Sequence, residues 1–423
     1  MPCIILHLIP HTNGLAMNID AFFQYIWYRL PIILIFTNSY LVYRMLVSSQ
    51  LTDFFVQRVM MQSKGDMARV ILYILISGAL LSFFIPNAVS VLILLPVLKQ
   101  IEKQIIDCNM PKNHVSNIST ALGLSAIYGA NIGGMGSLVG SPANLILIGA
   151  LDLLGGKQSV SITFLNWFLW STPLVICFLS SAYFVIRFFA MQSFSQLVYC
   201  KFTEQKQLTT QQKTSLSLFL WFIAFWIIHS ICHQRLDCYK SFQSYFCLTF
   251  VMLFSFRLFQ NRLLSLAQLI HGIPFRGFMV LILFVCLMVL LRLFHLDQMI
   301  ATSFNKTIMM TNSSTGLVFC VTGISILLTE FLSNSIVSTA LFPIVYQTAQ
   351  MNDIMPLVLM IPVSVASTCA FMTPIATPCN AFVYGEIKRM RLRTMVFCGL
   401  ILNVLCVICV TLWIPVSIPF IYR

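Results

Sequence analysis

Apolar residues in this 423-residue chain gather into runs too long for the helices or strands of a water-soluble core. A helix that crosses a bilayer needs about 20 mostly apolar residues. Eight stretches meet that need as full or broken spans: Leu30–Leu46, Ser119–Leu151, Thr163–Phe189, Leu216–His233, Phe242–Phe259, Phe278–Leu293, Met355–Tyr384 and Met395–Ile421. Only the short polar break at Arg235, Asp237 and Lys240 separates the fourth from the fifth.

Two further apolar stretches have another character. Val70–Leu98 is uncharged but interrupted at its middle by Pro86-Asn87. Proline has no N–H to donate and breaks the helix there. Each half is then about 20 Å long, enough to reach mid-membrane. Lys64 and Arg69 precede the stretch, and Lys99 and Lys103 follow it. Basic residues on both flanks fit a re-entrant hairpin whose ends share one face; the alternative is a single kinked span. Ser314–Gln350 repeats the pattern around Ser333-Asn334-Ser335.

With both stretches as hairpins, the eight spans fix the topology. The face on which the first hairpin opens collects the basic residues of 44–112, 187–213, 257–276 and 388–393, which are 18 of the 25 in the chain. The positive-inside rule makes that face cytoplasmic.

The two halves also repeat one another. Asn87 is followed nine residues later by Pro96 and then by Ser141-Pro142-Ala143-Asn144; Asn334 is followed nine residues later by Pro343 and then by Thr377-Pro378-Cys379-Asn380. Each half reads as an apolar helix, a hairpin centred on Asn, and a span interrupted before [ST]-P-x-N. Five crossings separate the repeats, and an odd number makes them antiparallel. Inverted repeats with discontinuous helices are the plan of secondary transporters, with the site where the repeats meet. The chain divides accordingly: an N-terminal segment 1–29, a first repeat 30–151 with hairpin 70–98 and broken helix 119–151, and connecting helices 152–275. A second repeat 276–386 follows, with hairpin 314–350 and broken helix 355–384, and a C-terminal helix 387–423 ends the chain.

Composition strengthens this reading. Hydrophobic residues make up 59% of the chain and charged residues 9%, with a mean hydropathy of +0.89. A soluble domain of this size needs far more charge to cover its surface. The net charge of +13 sits mainly between apolar runs, where it sets orientation rather than binding nucleic acid. The 14 cysteines are scattered without metal or redox spacing. Met1–Pro10 lacks the basic lead and cleavage site of a signal peptide.

The breaks are where chemistry is expected. Unpaired backbone groups cost several kcal/mol each in hydrocarbon, so non-helical backbone survives only inside protein or beside water. Carbonyls at broken ends can ligate a cation, and N–H groups at half-helix starts can hold an anion. Gly129, Gly133, Gly134, Gly136 and Gly140 crowd the stretch before Ser141. Close helix packing alone explains such glycines too, but it does not require the Ser-Pro-x-Asn that follows.

GGMGSLVGSPAN (Gly133–Asn144) resembles the GGxGTLIGTPPN signature of the divalent anion:sodium symporter family. STCAFMTPIATPCNAFVYG (Ser367–Gly385) is similar to its second-half signature, and LTEFLSNSIVSTALFP (Leu328–Pro343) to its second hairpin. The resemblance runs from about Leu30 to the C-terminus. It implies an all-α, elevator-type homodimer carrying a dicarboxylate or sulfate with sodium, and no organic cofactor. By motif, the substrate falls to Asn87, Ser141, Pro142, Asn144, Asn334, Ser335, Thr377, Pro378 and Asn380. One sodium site draws on Ser82, Asn87 and the loop at Gly140, the other on Thr329, Asn334 and the loop at Ala376. Two features depart from the family. The first hairpin reads Pro86-Asn87-Ala88 where the family has Ser-Asn-Thr, which removes two hydroxyls and leaves proton coupling or exchange as alternatives. One or two spans are also missing before Leu30, as a truncated or mis-assigned start would give.

Other polar residues carry less. Glu330, beside the second tip, is open to two readings, a proton carrier or a scaffolding acceptor. His229 and His233 near Cys232 and Cys238 sit at a span end, where polar side chains reach the interface without any metal. The cluster Lys388, Arg389, Arg391 and Arg393 fixes orientation, with anionic lipid contact as a secondary role. Nothing here has the nucleophile–base pair or metal motif of an intramembrane enzyme. The expectation is sodium-coupled transport of a small divalent anion; the alternatives are sodium-independent exchange and proton-coupled transport of citrate or an oxyanion.

Overall fold

The computed structural model describes residues 19–63, 66–107, 111–155, 162–191, 207–265 and 313–422, which form helices with no strand among them. In chain order they are α1 (Ile19–Ser48), α2 (Leu51–Met61), α3 (Met67–Ser82), α4 (Asn87–Asp107), α5 (Lys112–Met135), α6 (Pro142–Gly155) and α7 (Phe164–Val185, prolonged by a π-turn Ile186–Ala190). Then come α8 (Thr210–Arg235), α9 (Asp237–Gln260), α10 (Ser314–Thr329), α11 (Asn334–Met351), α12 (Pro356–Thr368), α13 (Pro378–Glu386) and α14 (Leu392–Ile421). The span expected at Phe278–Leu293 lies outside the described residues, as does most of the 1–29 segment.

Four described helices are long and apolar enough to cross a membrane: Phe164–Ala190, Thr210–His233, Phe242–Gln260 and Leu392–Ile421. Four more are apolar but short: Met67–Ser82, Pro142–Leu154, Ser314–Thr329 and Pro356–Thr368. The short ones are hairpin arms and pieces of broken spans, as the inverted repeats require. Each break has a local cause. Pro86 precedes α4 and gives its carbonyl to the N–H groups of Val89 and Ser90. Pro142 and Pro378 open α6 and α13, where a first-turn residue has no N–H bond to lose.

The chain forms two compact units. The first contains α1, the end of α6, α8 and α9. There α9 packs on α1 and α8, and the rings of Phe225 and Phe250 stack with centroids 3.6 Å apart. The break between α8 and α9 is narrower than the expected 235–240 stretch, since only Leu236 separates the two helices.

The second unit contains both hairpins, α5, the start of α6, α7 and α12–α14. In it α5 packs on both arms of the first hairpin, α3 and α4, and α12 packs on both arms of the second, α10 and α11. Glycines permit the first of these contacts. A Cβ on Gly129 would lie 2.4 Å from the Leu75 carbonyl oxygen, and one on Gly133 would lie 2.2 Å from that of Ala79. These two glycines therefore serve helix packing.

Gly133→Ala should destabilise the protein by about 3 kcal/mol, because backbone meets backbone and neither side can yield cheaply. Gly323→Ala, with open space around its Cβ among the described residues, should be neutral or stabilise by up to about 1 kcal/mol through helix propensity. Thermal unfolding of the detergent-solubilised variants checks both.

Candidate functional site

The expected site residues cluster in the second unit around two asparagines. Asn144 donates through Nδ2 to the carbonyls of Gly134 (3.0 Å) and Ser137 (2.6 Å), ten and seven residues earlier. Asn380 donates through Nδ2 to the carbonyls of Ala370 (2.8 Å) and Thr373 (2.8 Å), again ten and seven residues earlier. Each amide thus closes the unwound loop of its own broken helix. The repeat read from the motifs recurs bond for bond.

The hairpin tips repeat in the same way. Ser82 Oγ donates to Asn87 Oδ1 at 2.9 Å, and Thr329 Oγ1 lies 3.2 Å from Asn334 Oδ1, both across five residues. Each tip also receives a hydroxyl from a broken loop: Ser137 Oγ donates to the Phe83 carbonyl, and Thr373 Oγ1 to the Glu330 carbonyl.

Cross-repeat bonds join these parts. Asn87 Nδ2 donates to Asn131 Oδ1 (3.4 Å), and Asn131 Nδ2 donates to Asn380 Oδ1 (3.2 Å), which also accepts from Thr377 Oγ1 (2.9 Å). On the other side Ser364 Oγ donates to Asn144 Oδ1 (2.7 Å), Ser367 Oγ to the Ser364 carbonyl (2.9 Å), and Thr329 Oγ1 to the Ser367 carbonyl (2.7 Å). The two chains meet at Gly134, whose carbonyl holds Asn144 and whose Cβ, if it had one, would lie 2.3 Å from Asn87 Oδ1. The starts of α4, α6, α11 and α13 are therefore tied into one network.

For the expected cation positions, Gly140 brings the Ser82 and Gly134 carbonyl oxygens within 2.6 and 2.7 Å of where its Cβ would be, beside Asn87. Thr329, Asn334 and the Ser367 carbonyl converge in the second half, and Ala376 is buried in its loop. Pro142 and Pro378 are exposed at the helix starts, Ser335 is half-buried, and Ser141 accepts from the N–H of Ala143 within its own turn. Sequence reasoning missed Asn131, Ser364 and Ser367. A signal existed: Asn131 lies 13 residues before Asn144, as Ser367 lies before Asn380.

The structure also sorts the minor candidates. Both Glu330 oxygens accept backbone N–H groups of the second broken loop. His229 Nδ1 pairs with the Tyr239 hydroxyl (2.7 Å) and His233 Nδ1 with Gln243 Oε1 (2.8 Å). Among the described residues no group of three potential ligands could hold a metal ion. Arg391 is engaged by protein: it donates to Ser116 Oγ (2.9 Å), Asn117 Oδ1 (2.7 Å) and Asn113 Oδ1 (3.2 Å) on α5.

An integral, multi-pass helical protein with two repeats broken at matching places, and with polar backbone gathered at the breaks, is a secondary transporter and not an enzyme. The description of the family that matches residues 5–276 is citrate transporter. The chain is 25% identical over 371 residues to the sodium-dependent dicarboxylate transporter SdcS of Staphylococcus saprophyticus, covering 83% of this chain and 69% of that one. It is 25% identical over 370 residues to the sodium-dependent high-affinity dicarboxylate transporter 3 of Caenorhabditis elegans, covering 77% of this chain and 63% of that one. Its fold is similar to that of the YdaH transporter of Alcanivorax borkumensis, with a TM-score of 0.60 at 11% identity, over 94% of this chain and 89% of the other. The chain belongs to the citrate transporter family, and its resemblance to divalent anion:sodium symporters is borne out.

Asn144→Asp and Asn380→Asp each remove the donors that hold two carbonyls and set a carboxylate against them. Each should lower stability by about 3 kcal/mol or more, the loss expected when buried acceptors lose their partners and a charge is left unpaired. Chemical or thermal unfolding in detergent measures it.

Proposed function

We propose that this protein carries a small dicarboxylate, with succinate or malate as the model cargo, together with sodium ions. The observation that carries the reading is the tying of four half-helix starts, at Asn87, Pro142, Asn334 and Pro378, into one network of neutral oxygens and amides. N–H groups and helix dipoles at such starts favour carboxylates. Ser335, Ser141 and Thr377 add hydroxyls beside them, with Asn144 and Asn380 holding the loops in shape. Neutral carbonyl, amide and hydroxyl oxygens suit a weakly held monovalent cation that is later released. The names of the matching relatives, sodium-dependent dicarboxylate transporters, support the same cargo and the same ion.

In this reading sodium binds at Ser82, Asn87 and the Gly140 loop, and again at Thr329, Asn334 and the Ala376 loop. The hairpin-bearing unit moves as a body within a homodimer, and the 70–98 hairpin opens to the cytoplasm, the side on which most basic residues lie.

Uptake of labelled succinate into proteoliposomes tests it. An inward sodium gradient should raise the initial rate several-fold over a potassium gradient; equal rates would leave exchange in place of symport. Citrate as competitor separates a dicarboxylate site from a tricarboxylate one. Asn334→Ala should lower uptake by about 100-fold, since substrate and cation both lose a partner. Ala88→Thr, which returns a hydroxyl to the first tip, should lower uptake, because a hydroxyl there competes with the Ser82 and Asn131 bonds that hold Asn87.

A further inference from the structure

Glu330 lies one residue beyond Thr329, where the first half has Phe83 beyond Ser82. It is buried, and its oxygens face donors only. Oε1 accepts the N–H of Phe371 (3.0 Å), the N–H of Met372 (2.9 Å) and Asn403 Nδ2 (2.8 Å), while Oε2 accepts the N–H of Thr373 (2.9 Å). Three consecutive loop amides are thus gathered on one carboxylate. On α14, Gly399 lies one turn before Asn403. It lets the loop come close, since a Cβ there would sit 2.5 Å from the Phe371 carbonyl oxygen.

The corresponding loop of the first half is held by the opposite groups. Trp167 Nε1 donates to the Met135 carbonyl (3.0 Å) and Ser171 Oγ to the Gly136 carbonyl (2.9 Å), and the Phe83 ring covers Gly136. Beyond the two carbonyls that Asn144 and Asn380 each hold in their own loop, the first loop is gripped through two more carbonyls and the second through three N–H groups. The carbonyls of Ala370 and Thr373 are held by Asn380, and that of Phe371 lies against Gly399, so the loop is fixed on both its N–H and its carbonyl groups.

We propose that Glu330 is a positioning residue: it fixes the 371–373 segment of the loop that leads to Ala376 in the second half's proposed cation site, and it is not a proton carrier. The cation arm of the test rests on the transport reading above; the amide-exchange arm stands without it. Glu330→Gln keeps the size but sets an NH2 group against a backbone N–H. It should speed hydrogen exchange at the amides of 371–373 by about tenfold, the effect of losing one charge-assisted bond, and leave the amides of 135–137 unchanged. In transport it should raise the sodium concentration for half-maximal uptake by about tenfold while leaving the pH profile unaltered over about pH 5 to 8. Asn403→Ala, which removes one of the four donors, should move both readouts in the same direction by less and keeps the test available if Glu330→Gln does not fold. Unchanged exchange at 371–373 in both variants would overturn the proposal. So would a Glu330→Gln protein that keeps its sodium dependence and loses a pH dependence that the parent has.

Discussion

Every helix break inside a membrane-spanning unit frees backbone carbonyls and N–H groups, and hydrocarbon offers nothing to pair them with. Each group left bare costs several kcal/mol, so two broken helices and two hairpin tips would together exceed the net stability of an ordinary domain. The amides of Asn144 and Asn380 meet that cost where it is highest. Each reaches back over its own loop to two carbonyls, at 2.6–3.0 Å, and each offers its oxygen to a donor from the opposite repeat. The loops stay open without being unsatisfied. Because the partners come from both halves, neither loop can adopt its shape alone.

That dependence explains what could be read in advance. A proline followed by an asparagine two residues later is a local signal, so the breaks at Ser141–Asn144 and Thr377–Asn380 were legible, as were both hairpin tips. The glycine cluster was legible as a cluster but not in its division of labour: Gly129 and Gly133 admit α3, whereas Gly134, Gly136 and Gly140 admit the hairpin tip. Only the identity of the neighbour separates these roles, and sequence spacing does not carry it. Asn131 and Ser364 escaped notice for the same reason. Their partners lie 249 and 220 residues away, beyond any helical period. Glu330 was visible as an anomaly, an acid in an apolar stretch, but its two readings separate only when the N–H groups around it are seen.

The halves share a frame and differ in how it is filled. The first tip is packed: Asn87 is 7% exposed, Gly134 lies against its amide, and Phe83 beneath it is buried among apolar groups. The second tip stands further out, with Phe331 75% exposed and Asn334 and Ser335 half-buried. Pro86 and Ala88 stand where the second half has Ser333 and Ser335, and burial does not separate the two pairs: Pro86 and Ser333 are exposed, Ala88 and Ser335 half-buried. A more exposed tip cannot be fixed by packing. There the chain places its single acid within an apolar hairpin, and the Glu330 carboxylate takes over by electrostatics what a phenylalanine does by volume in the first half.

The exchange of a ring for a carboxylate has a consequence for charge. In the hydrogen-bonded network of the second unit, Asn87, Asn131, Asn144, Ser364, Thr377 and Asn380 are all neutral, and Glu330 alone is an acid. In a medium of low dielectric even one charge acts strongly over several ångströms. A monovalent cation near Thr329 and Asn334 would sit close to that charge, and one near Ser82 and Asn87 would have a ring at the corresponding place. In the proposed reading, the same backbone plan, run twice in opposite directions, would give two unequal positions for ions: one beside packed glycine and carbonyl oxygens, the other beside a loop held by a buried carboxylate. Inversion of the fold supplies the geometry twice, and a single side-chain difference beside each tip makes the two copies chemically distinct.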